Sequence, residues 1–275
     1  MIQTESESDR DMLYEMIYSY TTDNCQTNFS IEKYTKIWME GGMSNYEYLV
    51  ALNSAANRTR NDLSQYPVFP WVISNYEGQE LDLNNPNNYR DLSKPIGALN
   101  PKRLEMFLER YRQMPEPKFL YGTHYSNPGY VIGYLVRKFP QFMIKLHGGR
   151  FDHPDRLFNS IEIDWNICMA NQASLKELIP EFYEENPDFL INALDLDLGI
   201  TSKNEKISNV KLPGWATDSI GFLKKMREAL ESPFVSNNLH NWIDLVFGHK
   251  QKGPKSIEAN NGNILLIFSL SSIDI

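Results

Sequence analysis

Most of the residues that could do chemistry in this chain stand in two short runs. One reads Tyr121-Gly122-Thr123-His124-Tyr125-Ser126-Asn127-Pro128, the other Leu146-His147-Gly148-Gly149-Arg150-Phe151-Asp152-His153-Pro154. His124, Ser126 and Asp152 offer a base, a nucleophile and an orienting carboxylate, the set needed for acyl transfer. No Gly-x-Ser-x-Gly elbow accompanies them. Ser126 stands just before Asn127-Pro128, where helix capping is the simpler role. His147, Asp152, His153 and Asp155 offer imidazole and carboxylate ligands for zinc or iron. Their spacing matches neither His-x-x-x-His nor His-Glu-x-x-His, and Gly148-Gly149 reads as a turn. Gly122, Gly148 and Gly149 fit neither a Gly-x-Gly-x-x-Gly nor a Gly-Lys-Ser phosphate loop. Two readings follow. In one, these side chains are hydrogen-bond partners inside the fold. In the other, His124 or His153 works with a neighbouring carboxylate as a hydrolase.

The elements that would hold these residues are mainly helical. Asp9 to Tyr20 has Met12, Leu13, Met16, Ile17 and Tyr20 on one helical face, and Thr21 to Asn28 reads as loop. Ser30 to Glu40 reads as a helix stopped by Gly41-Gly42. Ser44 with Glu47 forms a capping box that opens a helix burying Tyr48, Leu49, Leu52 and Ala56. Asn100 and Pro101 start another through Leu104, Phe107, Leu108 and Tyr111, ended by Pro115 and Pro117. Asn127-Pro128 opens the next, with Lys138 in its last turn. Phe142 to Leu146 reads as a short strand or extended piece. Leu157, Ile161, Trp165 and Cys168 mark one helix face, and Ser174 with Glu177 reads as a second capping box before Pro180. Thr217 to Glu231 and a helix capped by Asn238 and closed by Gly248 complete the set.

Arg58 to Lys94 breaks every period, with Pro67, Pro70, Gly78 and Pro86 in it, yet it is too apolar for a linker. Leu63, Tyr66, Val68, Phe69, Trp71, Val72, Ile73, Tyr76 and Leu81 all need burial. This predicts an extended, buried segment whose backbone groups bond to side chains. Asn61, Asp62, Gln65, Asn75 and Arg90 are the partners expected for it.

Bulk properties exclude some classes. The 275 residues are 41% hydrophobic and 12% aromatic, which suits one large globular domain. A net charge of −8 argues against non-specific nucleic-acid binding and against a polybasic membrane anchor, though not against local basic patches. With Cys25 and Cys168 alone, a disulfide framework is not expected and a reducing compartment fits. Met1 to Arg10 is polar and acidic, unlike a secretory signal. The apolar run Ile264 to Leu270 is far short of the roughly 20 residues of a membrane span. The protein is therefore expected to be soluble.

Several runs together resemble the BEACH domain of neurobeachin and lysosomal-trafficking-regulator type proteins. They begin with Ser44-Asn45-Tyr46-Glu47-Tyr48-Leu49 and the block from Asn61 through Tyr66-Pro67-Val68-Phe69-Pro70-Trp71. They continue with Asp91-Leu92-Ser93-Lys94-Pro95-Ile96-Gly97 and the two histidine runs. Later come Glu177-Leu178-Ile179-Pro180-Glu181-Phe182, Leu212-Pro213-Gly214-Trp215 and His240-Asn241-Trp242-Ile243-Asp244 onward to Pro254. The likeness extends from about Trp38 to Asn261. It implies a mainly α, multihelical fold around a buried core of irregular extended segments.

By the same resemblance, Tyr66, Pro67, Phe69, Pro70, Trp71, Tyr121, Gly122, His124, Tyr125, Ser126, Asn127, Gly149, Arg150, Phe151, Asp152 and His153 are motif residues with a structural role. No catalytic residue, metal or cofactor is implied. Residues 1–28 are read as an N-terminal segment, in which Arg10 to Tyr14 resembles the end helix of a preceding pleckstrin-homology-like domain. Residues 29–261 are the BEACH domain, and 262–275 a divergent tail that is prone to aggregate if exposed. The expected function is a non-enzymatic scaffold in vesicle trafficking, lysosome-related organelles or autophagy, acting through protein–protein interaction in the cytoplasm. The expected partners are the pleckstrin-homology-like domain, WD40 repeats downstream and trafficking proteins. Association with endomembranes would then be peripheral and indirect, and no nucleic acid is involved. Trp71, Trp165 and Trp242 are expected in the core. Trp215 is the candidate exposed aromatic, and Lys250, Lys252 and Lys255 form a basic strip that could meet a partner.

Overall fold

The computed structural model describes residues 30–262, with Met12, Leu13 and Met16 before them. Those three are helical, and Met12 and Met16 are exposed. The rest of the expected first helix, the loop to Asn28, Cys25 and the chain from 263 onward lie outside the described residues.

Within residues 30–262 stand nine α-helices: α1 Ile31–Met39, α2 Asn45–Ala55, α3 Pro101–Gln113, α4 Pro128–Tyr134, α5 Pro140–Leu146, α6 Ile161–Ala170, α7 Ser219–Leu230, α8 Pro233–Val246 and α9 Gly253–Glu258. Extended pairing within that span is confined to isolated bridges, such as Phe69 with Leu178 and Ile73 with Tyr89. The fold is mainly α and multihelical.

Local chemistry accounts for most helix starts. The Ser30 side chain caps α1, and Gly41 ends it at a φ of +76°. Ser44 and Glu47 close the capping box of α2. The same N-terminus is held from far along the chain: Asn45 N–H donates to Glu231 Oε2 (2.8 Å) across 186 positions, and Tyr46 N–H donates to Oε1 (3.0 Å). A carboxylate there satisfies free N–H groups and complements the helix dipole. Asn100 with Pro101 starts α3, and Asn127 with Pro128 starts α4.

Four elements differ from the sequence reading. Residues 142–146 belong to helix α5, because Pro140 takes its first position and a segment this short and largely apolar is compatible with either state. Ser174 and Glu177 open no helix, and only a short 3-10 turn follows at Pro180–Tyr183. The Glu177 carboxylate is instead used in the core, as described below. The helix expected from Asn238 begins at Pro233 with Ser232 as its cap, and Asn238 sits mid-helix donating to Phe234 O (2.8 Å). Lys138 lies beyond the end of α4.

The core is centred on the irregular segment. Phe69, Trp71, Val72, Ile73 and Tyr76 are each 0% exposed. Trp71 packs edge-on to Tyr76 (centroids 5.5 Å apart) and tilted against Trp165 (5.4 Å) and Phe182 (6.1 Å). Burying each such side chain contributes roughly 2–3 kcal/mol. A smaller cluster joins Ile132, Val136, Met143, Leu157, Leu198 and Ile207.

Side chains take the place of a sheet's hydrogen bonds. Asn53, from α2, accepts from Val68 N–H (2.8 Å) and donates to Val68 O (3.0 Å). Buried arginines serve other carbonyls: Arg58 donates to Tyr66 O, Arg103 to Ile96 O and Cys168 O, and Arg137 to Ser208 O and Phe158 O. Burial pushes the Arg137 guanidinium down to about 10. Of the expected partners, Asp62, Asn75 and Arg90 do bond within the segment. Asn53, Arg58 and Glu177 carry the part assigned to Asn61 and Gln65. They stand outside the segment or at its edge, where a local reading has no reason to look.

Candidate functional site

Glu177 joins the Tyr66–Trp71 block to the Tyr121–Pro128 run. Its Oε2 accepts from Arg90 Nη1 (2.7 Å) and from Trp71 N–H (3.1 Å), and its Oε1 accepts from Trp242 Nε1 of α8 (3.0 Å). Its own N–H donates to Tyr125 O (2.9 Å). The side chains of Arg90 and Glu177 are 0% and 3% exposed. A buried ion pair holds only when its remaining valences are filled. Here both carboxylate oxygens of Glu177 are engaged and Arg90 also reaches Lys94 O, which among the described residues leaves Arg90 Nε as the one atom of the pair without a partner. Phe69 and Leu178 exchange both backbone hydrogen bonds at 2.9 Å beside it.

The other members of these runs are fixed around this junction. Tyr66 O–H donates to Glu181 Oε1 (2.6 Å), and Tyr183 O–H donates to Pro70 O (2.5 Å). Pro67 and Pro70 are buried. Tyr121 O–H donates to Asn260 O (2.6 Å), and its ring meets the edge of Phe107. A Cβ at Gly97 would fall 2.2 Å from the Tyr121 ring, so this close approach requires glycine. Tyr125 reaches Val246 O (3.3 Å). Gly122 is exposed.

Among the described residues His124 has no carboxylate partner. Its Nδ1 lies 2.8 Å from the backbone carbonyl oxygen of Ser126 and 3.2 Å from the Ser126 N–H. Burial lowers its pKa to about 4. Asn127, not Ser126, caps α4, through Tyr130 N–H (3.0 Å).

Asp152 is engaged elsewhere. Arg156 donates to it, and His147 Nδ1 lies 3.8 Å away. Partial burial opposes its ionisation, but the hydrogen bonds from Arg156 and His153 N–H hold its carboxyl below the usual range. The structure therefore does not assemble His124, Ser126 and Asp152.

The Leu146–Pro154 run is a surface feature, contrary to the reading that puts its side chains inside the fold. Gly149 (φ +97°), Arg150 and His153 are exposed, and Phe151 and Asp152 are half-buried. His153 Nδ1 lies 3.7 Å from Asp155 Oδ2 in the open. Gly149 to Asp152 and Pro154 line a shallow cleft of about 310 Å³ with Ile144, Asp197 and Leu198. Among the described residues no cluster of three or more His, Cys, Asp or Glu side chains is placed to hold a metal.

A second ion pair was missed by the sequence reading. Lys176 Nζ bonds Asp164 Oδ2 (2.7 Å) at the wall of a cleft of about 580 Å³ that Tyr130, Tyr134, Ser160 and Ser174 also line. Burial works against the Lys176 ammonium, but Asp164 together with Cys168 and Tyr130 outweighs it and raises its pKa. Beneath it, burial pushes the Cys168 thiol up to about 12. The two partners come from different elements, so no spacing signals them.

The partner-binding candidates are placed unevenly. Trp215 is not an exposed aromatic: it is half-buried, stacks on Phe222 (5.7 Å) and donates to Asn75 O (3.0 Å). Lys250 pairs with Asp244 (3.0 Å) and is half-buried. Lys252 and Lys255 are exposed at the start of α9. No helix among the described residues is long and apolar enough to cross a membrane.

Comparison with known proteins agrees with this architecture. A family profile described as Beige/BEACH domain matches residues 36–272. BEACH domain-containing protein lvsD of Dictyostelium discoideum is 48% identical over 247 residues, covering 88% of this chain and 8% of that protein. The chain thus spans a small part of this curated relative. On the matched span and the identity together, the chain belongs to the Beige/BEACH domain family.

Proposed function

We propose that this chain is the non-enzymatic scaffold module of a larger cytoplasmic protein that serves vesicle and membrane trafficking, in lysosome-related organelles or autophagy. The observation that supports it is the Glu177 junction. Both carboxylate oxygens of Glu177 are engaged in tying irregular segments together, and His124 Nδ1 is engaged with the Ser126 backbone. A framework built this way holds surface grooves at fixed geometry, which suits docking of other domains.

One such groove, of about 600 Å³, lies where the α1–α2 turn meets α8, lined by Trp38, Met39, Met43, Glu231 and His240. Met39 is 75% exposed there. In this reading the groove seats the pleckstrin-homology-like domain that precedes the module in the parent protein, and WD40 repeats follow. Calorimetric titration with that separately expressed domain tests it. Binding is expected, weakened about tenfold by Met39→Glu, since a charge would enter an apolar contact. No binding by the correctly folded chain would sink the reading.

A further inference from the structure

No Asp or Glu stands between Glu116 and Asp152, in a chain with 35 acidic residues and a net charge of −8. The same stretch contains Lys118, Arg137, Lys138, Lys145 and Arg150. The fold sorts these cations. Arg137 is buried, Lys138 is half-buried, and Lys145 and Arg150 are exposed on and just beyond α5.

Large apolar side chains stand open beside them. Phe139 is 36% exposed, Phe142 40% and Leu146 56%, whereas Met143 of the same helix is 5% exposed and packs in the smaller cluster. Phe142 and Leu146 stand four residues apart on one face of α5, and Phe139 at its N-cap sets its ring against Phe142. The Phe139 and Phe142 rings meet at 6.0 Å, and Lys138 Nζ stands 5.5 Å from the Phe139 ring centre. The face therefore combines a short apolar ridge with cations at its border.

Three acidic groups on the flanks of this face have hydrogen-bond donors of their own. Glu184, which feels the Lys138 charge, is held by Arg60 and Tyr46. Asp152 is held by Arg156. Asp197, across the cleft from Arg150, accepts from Gly199 N–H (3.2 Å). Among the described residues Lys145 and Arg150 have no carboxylate partner.

We infer that the α5 face docks directly on an anionic lipid bilayer. Phe142, Leu146 and Phe139 enter the boundary between headgroups and acyl chains. Lys145, Arg150 and Lys138 meet the lipid phosphates. Aromatic and aliphatic side chains flanked by Lys and Arg are the composition of helices that lie in this boundary. The positive sign of the patch, against an acidic whole, orients the molecule with this face toward a negative surface. The indirect membrane association expected from the overall charge is thus replaced by contact through one local face. This inference is independent of the domain-docking groove, which involves other residues.

The test is flotation of the full chain with phosphatidylcholine vesicles, with and without about one third phosphatidylserine. The chain is expected to float with the anionic vesicles about tenfold more than with neutral ones, and less so as salt is raised. The double variant Phe142→Ser, Leu146→Ser is expected to lose about tenfold of that binding. Lys145→Glu with Arg150→Glu is expected to remove the preference for anionic vesicles, whereas Lys224→Glu on the exposed side of α7 leaves it. Circular dichroism checks that each variant is folded. Two results overturn the inference: a folded wild-type chain that stays unbound, which would turn the patch over to an acidic protein partner, or an apolar variant that floats as well as wild type.

Discussion

Glu177 shows what a single buried carboxylate does when a core lacks regular strands. Its two oxygens receive a guanidinium, an indole and a backbone N–H, three groups that would each be costly to leave unpaired. Removing its charge leaves Arg90 ionised in a site with no counter-charge. Glu177→Gln keeps the shape and is expected to cost about 3–5 kcal/mol, read as the shift of a urea unfolding midpoint. An unchanged midpoint would show that the pair contributes little. The residue was legible in the sequence only as part of a motif. Its local pattern with Ser174 imitates a capping box, and the tertiary ion pair overrides that pattern. Asp164 and Lys176 were invisible for a related reason, since their pairing depends on how α6 meets an irregular strand-like stretch.

At the scale of elements, helices that carry their own start signal were readable and those defined by context were not. The capping box at Ser44 and the Asn100-Pro101 start gave α2 and α3 near their ends. Helix α5 is seven residues long and largely apolar, and periodicity over so short a span cannot separate helix from strand. For α8, Asn238 looked like a cap, but Ser232 with Pro233 lies a turn and a half earlier and takes that role. The start of α4 separates two residues that the sequence left competing. Asn127→Ala is expected to lose about 1 kcal/mol in thermal or urea unfolding, because the Tyr130 N–H loses its acceptor. Ser126→Ala should stay within about 0.5 kcal/mol, since its backbone, not its hydroxyl, holds His124. The reverse order would restore Ser126 as the cap.

The whole molecule is closed by contacts between distant parts of the chain. Leu120 N–H and Tyr121 N–H both donate to Gly262 O, at 2.7 and 3.1 Å. Asn261, 2% exposed, donates to Leu245 O (2.7 Å) and Lys250 O (2.9 Å). Asn261→Ala leaves those carbonyls without this donor and is expected to cost about 2 kcal/mol. Hydrogen exchange should then quicken at the Leu120 and Tyr121 amides. Exchange that stays slow at both would show that the closure is held by other contacts.

The carboxylate of Glu231 on the first turn of α2 has a consequence during synthesis. A ribosome adds about 5–20 residues per second, so Asn45 waits roughly 10–40 seconds for a partner encoded 186 positions later. During that interval the apolar side chains around Trp71 have neither α7 nor α8 to cover them. Contacts this remote in sequence also slow the search once the chain is complete. A nascent chain of this kind depends on being shielded until nearly all of it has emerged.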